Sequence, residues 1–583
     1  MSNKPSDTTD VIYHAPRSRY GAIPKHSIAP IGMDTEADVT GHCFMICFAS
    51  GDVIRPEELL ETLLSHKHRD KAYVVYNLKY DMGALLQHLS PSSLDQLRRT
   101  GKTTENGYHY RVITNKFLGI TQGHHGVQIY DIMGFYGGSL DYNAGKYLGE
   151  HKLEQATKRY ESDYIKRNWD NIAEYCIHDA KLTQRLAERL IGQFNSWGLH
   201  VKKLYSTAHV SYSWFAAKCG HPSVGYFWNQ NRKVLDYAMA SYNGGKFEVT
   251  KKGAGYYYEY DISSAYPHSI RNLIDLSSVR VVWSNRYRRY AVYGFIDCTV
   301  DIPCTVSSPV AVKRGIVNTY PVGQFRKVIT KGEYEYLIAQ GVDITIHNAA
   351  WLHVDNKVYP YRAEIDRLFE LKSALKNTDD ALGYHTIKIL LNSLYGKFVQ
   401  LIESPYGWRA GASWNPIYAS VITSDTRVQI TQLQQQYPSV YAVHTDSVIS
   451  DAKLPYEKTT VLGALSYECE GDGIIAACGI YQIGNKTALR GVPSGLSLSD
   501  LATNSGKELT ITRQAPRTWR QVLANSWSLD RINNFEEIVR NLRPDVDRKR
   551  LWIEDAHTWE ELRHNTYESE PLFYCPLLFP SAS

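Results

Sequence analysis

The sequence predicts a soluble α/β protein with several domains, and three observations support this prediction. The chain has 583 residues, 43 % of them hydrophobic and 21 % charged, and domains span about 100–200 residues, so three or four packed units are expected. Strand-like and helix-like segments alternate between residues 31 and 193, which is typical of an α/β domain. The 43 Tyr outnumber the 15 Phe and 12 Trp together, an excess that composition alone does not explain.

Charge and targeting signals exclude few classes of function. Sixty-five Lys and Arg against 60 Asp and Glu leave a net charge of +5, which neither requires nor excludes a nucleic-acid partner. The nine Cys are scattered without a Cys-x-x-Cys pair, so we expect reduced thiols. We find no run of 18 apolar residues and no apolar signal core in the polar first 25 residues, and therefore expect no membrane span, no signal peptide and a cytoplasmic location.

The N-terminal half reads as one alternating unit. It begins with a strand-like segment at residues 31–38, continues with a second at 72–78, and closes with a helix-like run from Trp169 to Phe194. The segment Tyr-Asn-Gly-Gly at 242–245 is the clearest break between the two halves of the chain.

The C-terminal half contains two β-rich segments and one long helical segment. Residues 256–261 and 440–450 read as strands, whereas residues 381–398 have helical periodicity. In this helix Lys388, Asn392 and Tyr395 share one face. The tail from residue 507 mixes Arg, Lys and Trp and is predicted to be a solvated helical face.

Four acidic residues of the first half stand in apolar or Tyr-rich surroundings, where burying a charge is costly unless it binds a cation. Asp34 and Glu36 are two residues apart on a predicted strand, so their side chains point the same way. Asp81 follows a Tyr-rich segment, and Asp179 lies one helical turn after Tyr175. Carboxylates without Cys or His partners favour Mg²⁺ or Mn²⁺ over zinc, and two such ions suit in-line displacement at phosphorus.

A second acidic site is predicted in the C-terminal half. Asp261 ends a strand in Asp-Ile-Ser-Ser-Ala-Tyr-Pro, and Asp446 lies at the turn of a predicted hairpin in His-Thr-Asp-Ser. Two aspartates on neighbouring strands suit a second metal pair. Lys388 suits a triphosphate as a compact positive charge, although a solvent-facing lysine is the commoner interpretation. Three residues suit either the site or the core and a helix cap: Tyr266, Asn392 and Tyr395.

Taken in order, these motifs resemble those of a family B DNA polymerase. Three segments resemble the family's proofreading exonuclease motifs, namely those at 34–36, 76–81 and 175–179. Three more resemble its polymerase motifs, namely those at 261–267, 388–396 and 444–447, and Asn-Lys-Thr-Ala at 485–488 resembles a later Lys-x-Tyr element. The length, the segment 242–245 and the pair Ser139-Leu140 most resemble the protein-primed branch, which serves phage genomes and linear plasmids.

The resemblance implies a ribonuclease H-like exonuclease domain followed by a right-hand polymerase with palm, fingers and thumb. The implied division is 1–25 flexible segment, 26–197 exonuclease, 198–270 first part of the palm, 271–360 insertion resembling the priming-protein contact, 361–400 fingers, 401–415 short hairpin, 416–500 second part of the palm and 501–583 thumb.

For the exonuclease the resemblance implies a two-metal site and a groove for a single-stranded end. The implied metal ligands are Asp34, Glu36, Asp81 and Asp179. Tyr175 would orient the attacking water. The residues implied to hold the frayed end are Asn77, Tyr80, Ser139 and Leu140. The family's exonuclease lysine has two candidates, Lys152 and Lys158, between which the sequence does not decide.

For the polymerase the resemblance implies that Asp261 and Asp446 bind two Mg²⁺ or Mn²⁺ ions, with the Ile262 carbonyl as a further ligand. Tyr266 would stack under the incoming sugar and exclude a 2′-hydroxyl, because that oxygen would collide with the ring. The other implied dNTP contacts are Lys376, Lys388, Asn392 and Tyr395. The implied DNA contacts are Tyr242, Gly244, Gly245 and, at the primer-terminal phosphate, Lys486.

Three departures from the family pattern stand out. The third polymerase motif usually reads Tyr-x-Asp-Thr-Asp-Ser, but His444 replaces its first Asp, so one anionic charge near the metals is lost. Ala488 stands where the family's Lys-x-Tyr element has Tyr. Only 20 residues separate Tyr395 from Pro416, where the branch carries an insertion that encloses the template, so we expect a short hairpin at most.

The sequence therefore predicts a monomeric DNA-directed DNA polymerase with 3′→5′ exonuclease activity, acting on primer-template and single-stranded DNA. A terminal protein is an expected partner, and the basic aromatic cluster at residues 286–290 suits either a phosphate backbone or an acidic partner. Two alternatives stay open. One is a nuclease whose polymerase is weakened by His444 and Ala488, and the other is a catalytically silent DNA-binding scaffold for initiation.

Overall fold

The structure, a computed structural model, describes residues 11–12, 25–155, 160–220, 224–376, 378–404, 407–411, 413–490, 498, 509–543 and 547–578. The described residues form two large sheets and four smaller ones, together with many helices. This mixture confirms the predicted α/β class. Within these ranges no helix is both long and apolar enough to cross a bilayer.

The first domain is an eight-stranded sheet with helices on its faces. The first strand of the chain, β1 (Val11–Ile12), lies outside this sheet. The strands of the sheet are β2 (Pro30–Ala37), β3 (Cys43–Phe48), β4 (Val53–Ile54), β5 (Ala72–Val75), β6 (Lys102–Glu105), β7 (Tyr108–Ile113), β8 (Phe117–Gln122) and β9 (His125–Asp131). The helices are α1 (Leu59–Leu64), α2 (Leu78–Leu86), α3 (Pro91–Thr100), α4 (Met133–Tyr136), α5 (Leu140–Leu148) and α6 (Ser162–Ser196). The sheet order is β4-β3-β2-β5-β9-β8-β7-β6, in which β2, β5 and β9 run parallel.

Helix α6 crosses strand β2 at unusually close range. A Cβ on Gly32 would lie 1.8 Å from the carbonyl oxygen of Ala180, so no larger residue fits at this crossing. The other face of α6 buries Leu182, Leu186 and Leu190 at helical spacing. The crossing holds the residue before Ala180, Asp179, against the strand that carries the first two predicted metal ligands.

The middle of the chain alternates between helices and strands. Up to residue 353 its elements are α7 (Thr207–Cys219), α8 (Gly225–Gln230), α9 (Arg232–Ser241), β10 (Phe247–Val249), β11 (Lys251–Ile262), α10 (Ala265–Arg271), β12 (Arg280–Trp283), β13 (Tyr293–Ile302), β14 (Val312–Arg314), β15 (Val317–Thr319), β16 (Gly323–Thr330), α11 (Lys331–Ala339) and β17 (Asp343–His353). It continues with α12 (Arg362–Leu375), α13 (Ala381–Ser393), α14 (Tyr395–Phe398), β18 (Leu401–Ser404), β19 (Gly407–Ala410) and α15 (Pro416–Gln436).

The last third of the chain is mainly β. Its described elements are β20 (Val440–His444), β21 (Ser447–Ser450), β22 (Leu465–Ala477), β23 (Ile480–Ile483), β24 (Lys486–Leu489), β25 (Leu509–Pro516), α16 (Trp519–Ala524), β26 (Phe535–Leu542), β27 (Leu551–Trp552), α17 (Trp559–His564) and β28 (Thr566–Glu570).

The second large sheet has β11 at its centre. Its order is β10-β20-β21-β11-β22-β23-β24, and β28 pairs with both β11 and β27. Tyr260 and Ile262 of β11 pack with Ile430 of α15 in one core. Because side chains alternate along a strand, Glu259 and Asp261 point to the opposite face.

Three smaller sheets belong to the middle of the chain. Strands β12, β17, β13 and β16 form an antiparallel sheet in that order, and β14 pairs with β15. Strands β18 and β19 form a hairpin inside the predicted range 401–415, and β1 extends it by pairing parallel with β19. The strand β1 therefore lies within the N-terminal segment that the sequence predicts to be flexible.

The C-terminal tail is not the solvated helical face that its Arg and Trp content predicts. Strands β25 and β26 pair antiparallel with the short helix α16 between them, and the strands β27 and β28 and the short helix α17 follow. The β-branched run at 510–512 favours a strand. Trp519, counted toward the solvated face, is buried in the core of the first domain together with Leu97.

Candidate active sites

The first acidic site is centred on strand β2. One carboxylate oxygen of Asp34, one of Glu36 and the sulfur of Cys176 lie within 4.8 Å of one another. Cys176 was not among the predicted site residues, because its position depends on the crossing of α6 over β2. The predicted pairing of Asp34 with Glu36 on one face of the strand agrees with this geometry.

Asp81 and Asp179 approach the same site from helices. Asp81 of α2 is buried and accepts a hydrogen bond of 2.7 Å from the Thr35 hydroxyl. Asp179 of α6 is buried as well. Its Oδ1 is enclosed and has no hydrogen-bond partner within the described part of the chain, so a ligand for this oxygen is missing from the protein itself.

The electrostatics of this site favour a bound cation. Burial, followed by the charges of Asp179, Asp81 and Glu36, raises the pKa of Asp34 well above its usual range. Burial, followed by Asp179, raises the pKa of Glu36 to about 8, and burial raises that of Asp81 to about 7. An all-oxygen donor set with an unpartnered buried oxygen fits Mg²⁺ or Mn²⁺.

Of the two candidate lysines, Lys152 is described and lies in this site. It forms a short ion pair with Asp179, and its Nζ lies 4.8 Å from the centre of the Tyr175 ring. Burial opposes the lysine charge, but Asp179 outweighs it and raises the lysine pKa. The other candidate, Lys158, lies outside the described residues. Tyr160, which the sequence analysis did not include, hydrogen bonds to Glu36 through its phenol.

The residues predicted to hold a single-stranded end lie along one rim of this site. Asn77 begins α2 in the left-handed conformation, with φ of 80°. The Tyr76 hydroxyl is 3.3 Å from the carbonyl oxygen of Ser139, which connects the two rim segments. Ser139 Oγ accepts from the backbone N–H of Tyr142, so the hydroxyl proton stays available to a ligand. Buried Leu140 and Tyr80, whose ring lies 6.4 Å from that of Phe535, complete the rim.

The second acidic site joins Asp261 and Asp446. The backbone N–H of Ile262 donates to the carbonyl oxygen of Asp446 at 2.7 Å, which fixes β11 beside the turn between β20 and β21. Burial, followed by the charge of Asp446, raises the pKa of Asp261 to about 7, and burial raises that of Asp446. A bound divalent cation would relieve both shifts, so these two aspartates fit a metal site as well. The role of the Ile262 carbonyl stays a prediction.

Glu468 is a third acid at this site that the sequence analysis did not include. It lies on β22 at an irregularity opposite β11, where Glu259 pairs with Cys469 but Tyr260 pairs with Tyr467. Its charge contributes to the raised pKa of Asp261. The extra residue of a β-bulge is visible only once the strands are paired.

Three lysines converge above the second site. Lys388 of α13 is close enough to Asp446 to lower that carboxyl's pKa. Lys372 of α12 donates to the Ser264 hydroxyl at 2.9 Å. Burial, followed by Lys388 and Lys376, lowers the pKa of Lys372. Lys372 is a further candidate, and its position one helical turn before Lys376 was a signal that could have identified it.

Three tyrosines form the floor beside these lysines. The rings of Tyr266 and Tyr395 are 4.4 Å apart at an angle of 42°. Tyr242 hydrogen bonds to Tyr395, and the Gly245 N–H hydrogen bonds to Tyr266. Asn392 is exposed on the same helix as Lys388. The structure therefore brings together the predicted nucleotide side chains and the Tyr-Asn-Gly-Gly segment.

Arg427 of α15 holds that segment from below, although the sequence analysis did not include it. Its guanidinium donates to the carbonyls of Asn243 and Gly244 at 2.7 and 3.0 Å and to Glu333 at 2.6 Å. A Cβ on Gly245 would lie 2.5 Å from the Thr445 side chain. A glycine is therefore required where this segment meets the turn that carries Asp446.

Lys486 and His444 also lie near this site. Lys486 forms an ion pair of 2.7 Å with Glu259. His444 is buried against Phe247 and Tyr481. Burial, followed by nearby cations, lowers the His444 pKa to about 3, so the imidazole is neutral and supplies neither a charge nor a carboxylate to the site.

Comparisons with known proteins agree with this geometry. Residues 121–406 match the family described as DNA polymerase type B, organellar and viral. The fold is similar to Phi29 DNA polymerase complexed with primer-template DNA and incoming nucleotides, with a TM-score of 0.61 and 14 % identity over 88 % of this chain and 100 % of that one. The binary complex with primer-template DNA gives 0.60 and 12 % over 89 % and 100 %.

A third Phi29 structure, with single-stranded DNA, gives a TM-score of 0.54 at 14 % identity over 84 % of this chain and 97 % of that one. No curated protein matches the chain. The predicted resemblance to a family B polymerase, and with it the predicted multidomain fold, is confirmed. The roles of individual residues stay predictions.

Proposed function

We propose that the chain is a type B DNA polymerase of the organellar and viral kind, whose family model residues 121–406 match, and that it extends primers on a DNA template and removes mismatched 3′ ends in its N-terminal domain. The observation that carries the proposal is the pairing of Asp261 with Asp446 beneath three lysines and beside three tyrosines. The same chain contains a second, separate set of four buried carboxylates.

In the polymerase site, Asp261 and Asp446 would hold two Mg²⁺ or Mn²⁺ ions, which stabilise the attacking and leaving oxygens of nucleotidyl transfer. The lysines Lys372, Lys376 and Lys388 would bind and orient the triphosphate of a dNTP. The attacking group is the primer 3′ oxygen, the bond formed joins it to the α-phosphorus, and pyrophosphate leaves.

Tyr266 and Tyr395 would select the substrate sugar and support the new base pair. Their rings are in contact, and Tyr242 and Gly245 hydrogen bond to them, so neither ring is free to move aside for a 2′-hydroxyl. The site therefore suits deoxynucleotides.

In the exonuclease site, the four carboxylates would hold the metal ions and Tyr175 would orient a water molecule toward the terminal phosphodiester. Lys152 lies beside Tyr175 and Asp179, and its positive charge acts on Asp34 against the surrounding acids. Its charge suits the phosphate that develops negative charge during hydrolysis.

The DNA partners follow from these two sites: primer-template DNA at the polymerase and a single-stranded end at the exonuclease. A terminal protein is a further proposed partner. Arg286, Arg288, Arg289 and Tyr290 are exposed in the connection between β12 and β13, where Tyr287 contacts Tyr334 and Glu335. An exposed basic surface suits an acidic protein surface or a phosphate backbone.

The experiment compares two variants on one labelled primer-template. Asp446→Ala is expected to abolish nucleotide addition and to leave single-strand degradation intact, because it touches only the second site. Asp34→Ala combined with Glu36→Ala is expected to do the reverse. Synthesis that persists in Asp446→Ala would overturn the polymerase assignment.

His444 favours a second candidate, a protein that works mainly as a nuclease. With a neutral imidazole at this position and Ala488 on β24, the polymerase site has one acid and one hydroxyl fewer than its family pattern. Primer extension and exonuclease rates on one labelled hairpin decide between the two, since the nuclease candidate requires excision to exceed extension at saturating dNTP. A chain without any metal-dependent activity would instead indicate an initiation scaffold.

A further inference from the structure

Glu259 is a buried acid that the sequence analysis did not assign to metal binding. It points to the same face of β11 as Asp261 and is 1 % exposed. Its Oε2 pairs with Lys486 at 2.7 Å, and its Oε1 accepts from the Tyr481 hydroxyl at 2.9 Å. Both oxygens are thus used, one for a cation and one for a phenol, which fixes the carboxylate rigidly.

Lys486 is anchored at one end and open at the other. Its side chain is 46 % exposed, whereas that of Glu259 is 2 % exposed. Its charge reaches Asp261 and lowers that carboxyl's pKa. A half-exposed ammonium beside the metal-binding aspartates suits a phosphate at the primer end, provided that something holds the flexible four-carbon chain in place.

His444 does not hold Lys486. Its Nε2 accepts a hydrogen bond of 3.2 Å from the Gly479 N–H, so that nitrogen carries no proton. The ring lies parallel to that of Tyr481, with centroids 5.0 Å apart. Lys486, Lys549 and Arg490 all lie close enough to influence it, so position 444 faces three cations without contributing a negative charge.

The pairing of Ala488 with Tyr481 explains how the protein accommodates His444 in place of the family's Asp. The two residues are directly opposite each other on β24 and β23. The small Ala488 side chain leaves the space across this pair to the larger ring of Tyr481, which packs on His444 with one face and reaches Glu259 with its hydroxyl. The two departures from the family pattern, at 444 and 488, therefore meet in one network.

We propose that Glu259 is a positioning residue that fixes Lys486 toward the primer-terminal phosphate, and that it supplies from β11 the negative charge that His444 no longer supplies from the β20–β21 turn. Tyr481 secures the carboxylate. The inference rests on the proposed polymerase function, in which Lys486 meets the primer.

The test measures the Kd for primer-template DNA and the KM for dNTP separately. Glu259→Gln keeps the shape of the side chain and removes its charge, and is expected to weaken primer-template binding about tenfold while the KM for dNTP is unchanged. Lys486→Met is expected to have the same effect, and the double variant no larger one, because Glu259 acts through Lys486. Adding His444→Asp to Glu259→Gln is expected to restore most of the affinity, since the new carboxylate would face the same cations.

Glu470→Gln is the matched control, because it makes the same exchange at an exposed position of β22. The single-strand exonuclease rate reports folding. If Glu259→Gln lowers that rate, Tyr481→Phe replaces it and is expected to weaken primer binding about threefold in the wild-type chain and not in Lys486→Met. Unchanged primer affinity, or additive effects of the Glu259 and Lys486 variants, would overturn the inference. A wild-type chain that extends no primer would overturn the proposed function itself.

Discussion

Arg427 shows how one buried side chain can determine the shape of a site in which it has no predicted chemical role. Its guanidinium is fully buried with Glu333 and holds the carbonyls of the Tyr-Asn-Gly-Gly segment. Arg427→Met would leave Glu333 buried without a counter-charge. We expect a loss of about 3 kcal/mol in unfolding free energy, measured by urea denaturation.

The matched control is Arg326→Met, because Arg326 also pairs with a carboxylate, Asp297, but lies on the surface. Its substitution is expected to change stability far less. Equal destabilisation of the two variants would contradict the role given to burial. The Arg427 variant should also bind primer-template DNA more weakly, since the segment under Tyr242 would lose its support.

The raised pKa values of the carboxyls in the first acidic site predict how the stability of the folded chain depends on pH and on a bound metal. Their folded pKa values lie above the ordinary ones, about 8 for Glu36 and about 7 for Asp81. Between about pH 4 and pH 8 these carboxyls therefore hold more protons in the metal-free folded chain than in the unfolded chain, and their contribution to stability falls as pH rises. Mg²⁺ replaces those protons, so the gain in Tm on adding Mg²⁺ over EDTA should be larger at about pH 8.5 than at about pH 5.5.

Removing the acids provides the check on this pH dependence. Asp34→Asn combined with Glu36→Gln should abolish most of the pH dependence and most of the metal-induced gain in Tm. Asp170→Asn combined with Glu174→Gln changes two exposed acids of α6 and should leave both unchanged. A gain in Tm from Mg²⁺ that is equal at the two pH values would count against a metal site here.

At the scale of elements, the hairpin β18–β19 lies in the range 401–415, where the resemblance implies a short hairpin in place of an insertion that encloses the template. Among the described residues it consists of two four-residue strands, and the two-residue β1 pairs with it. So short an element cannot surround a duplex. On a singly primed circle without helicase, we expect products to end at one circumference, because the chain cannot displace the strand it meets.

Full-length extension on a linear single-stranded template is the control for this experiment, since it requires synthesis without displacement. Products longer than the circle would show unaided displacement and would contradict the interpretation of the hairpin.

Elements with a clear period were predictable from sequence, whereas those set by pairing were not. The shared face of Lys388 and Asn392 on α13 followed from helical spacing, whereas the helix predicted over 381–398 ends at Ser393 and Tyr395 begins α14. Strand β2 with Asp34 and Glu36 followed from alternation. The tail hairpin β25–β26 was missed because its Arg and Trp content was taken for a helical surface. Glu468 and Glu259 were missed because their roles depend on which strand lies beside β11.

At the scale of the whole molecule, the small net charge now has a physical explanation. The predicted metal ligands form two acidic sites, and Lys372, Lys376 and Lys388 lie close together near the second, so +5 can be the sum of opposed local fields. The Tyr excess is partly explained in the same way, because Tyr175, Tyr242, Tyr266 and Tyr395 each combine a ring contact with a hydroxyl at one of the two sites.

The two sites are mechanically connected through His385. This residue of α13, the helix that carries Lys388, donates from Nε2 to the carbonyl of Phe135 at 2.7 Å and stacks on Tyr136 of the first domain. The contact lies just before Ser139 on the rim of the first acidic site. Because α13 and this rim are held together, the proposed function predicts that a frayed primer end passes between the two sites without leaving the protein.

We therefore expect His385→Ala to impair transfer while both catalytic rates stay normal. With a mismatched primer and a trap for free enzyme, wild-type protein should excise and then extend in one encounter, whereas the variant should release the primer first. His347→Ala, which removes an exposed histidine of the β12–β17 sheet, is the control. Transfer as efficient as wild type in His385→Ala would show that the contact is only structural, and slower excision of single strands would place the fault in the exonuclease domain itself.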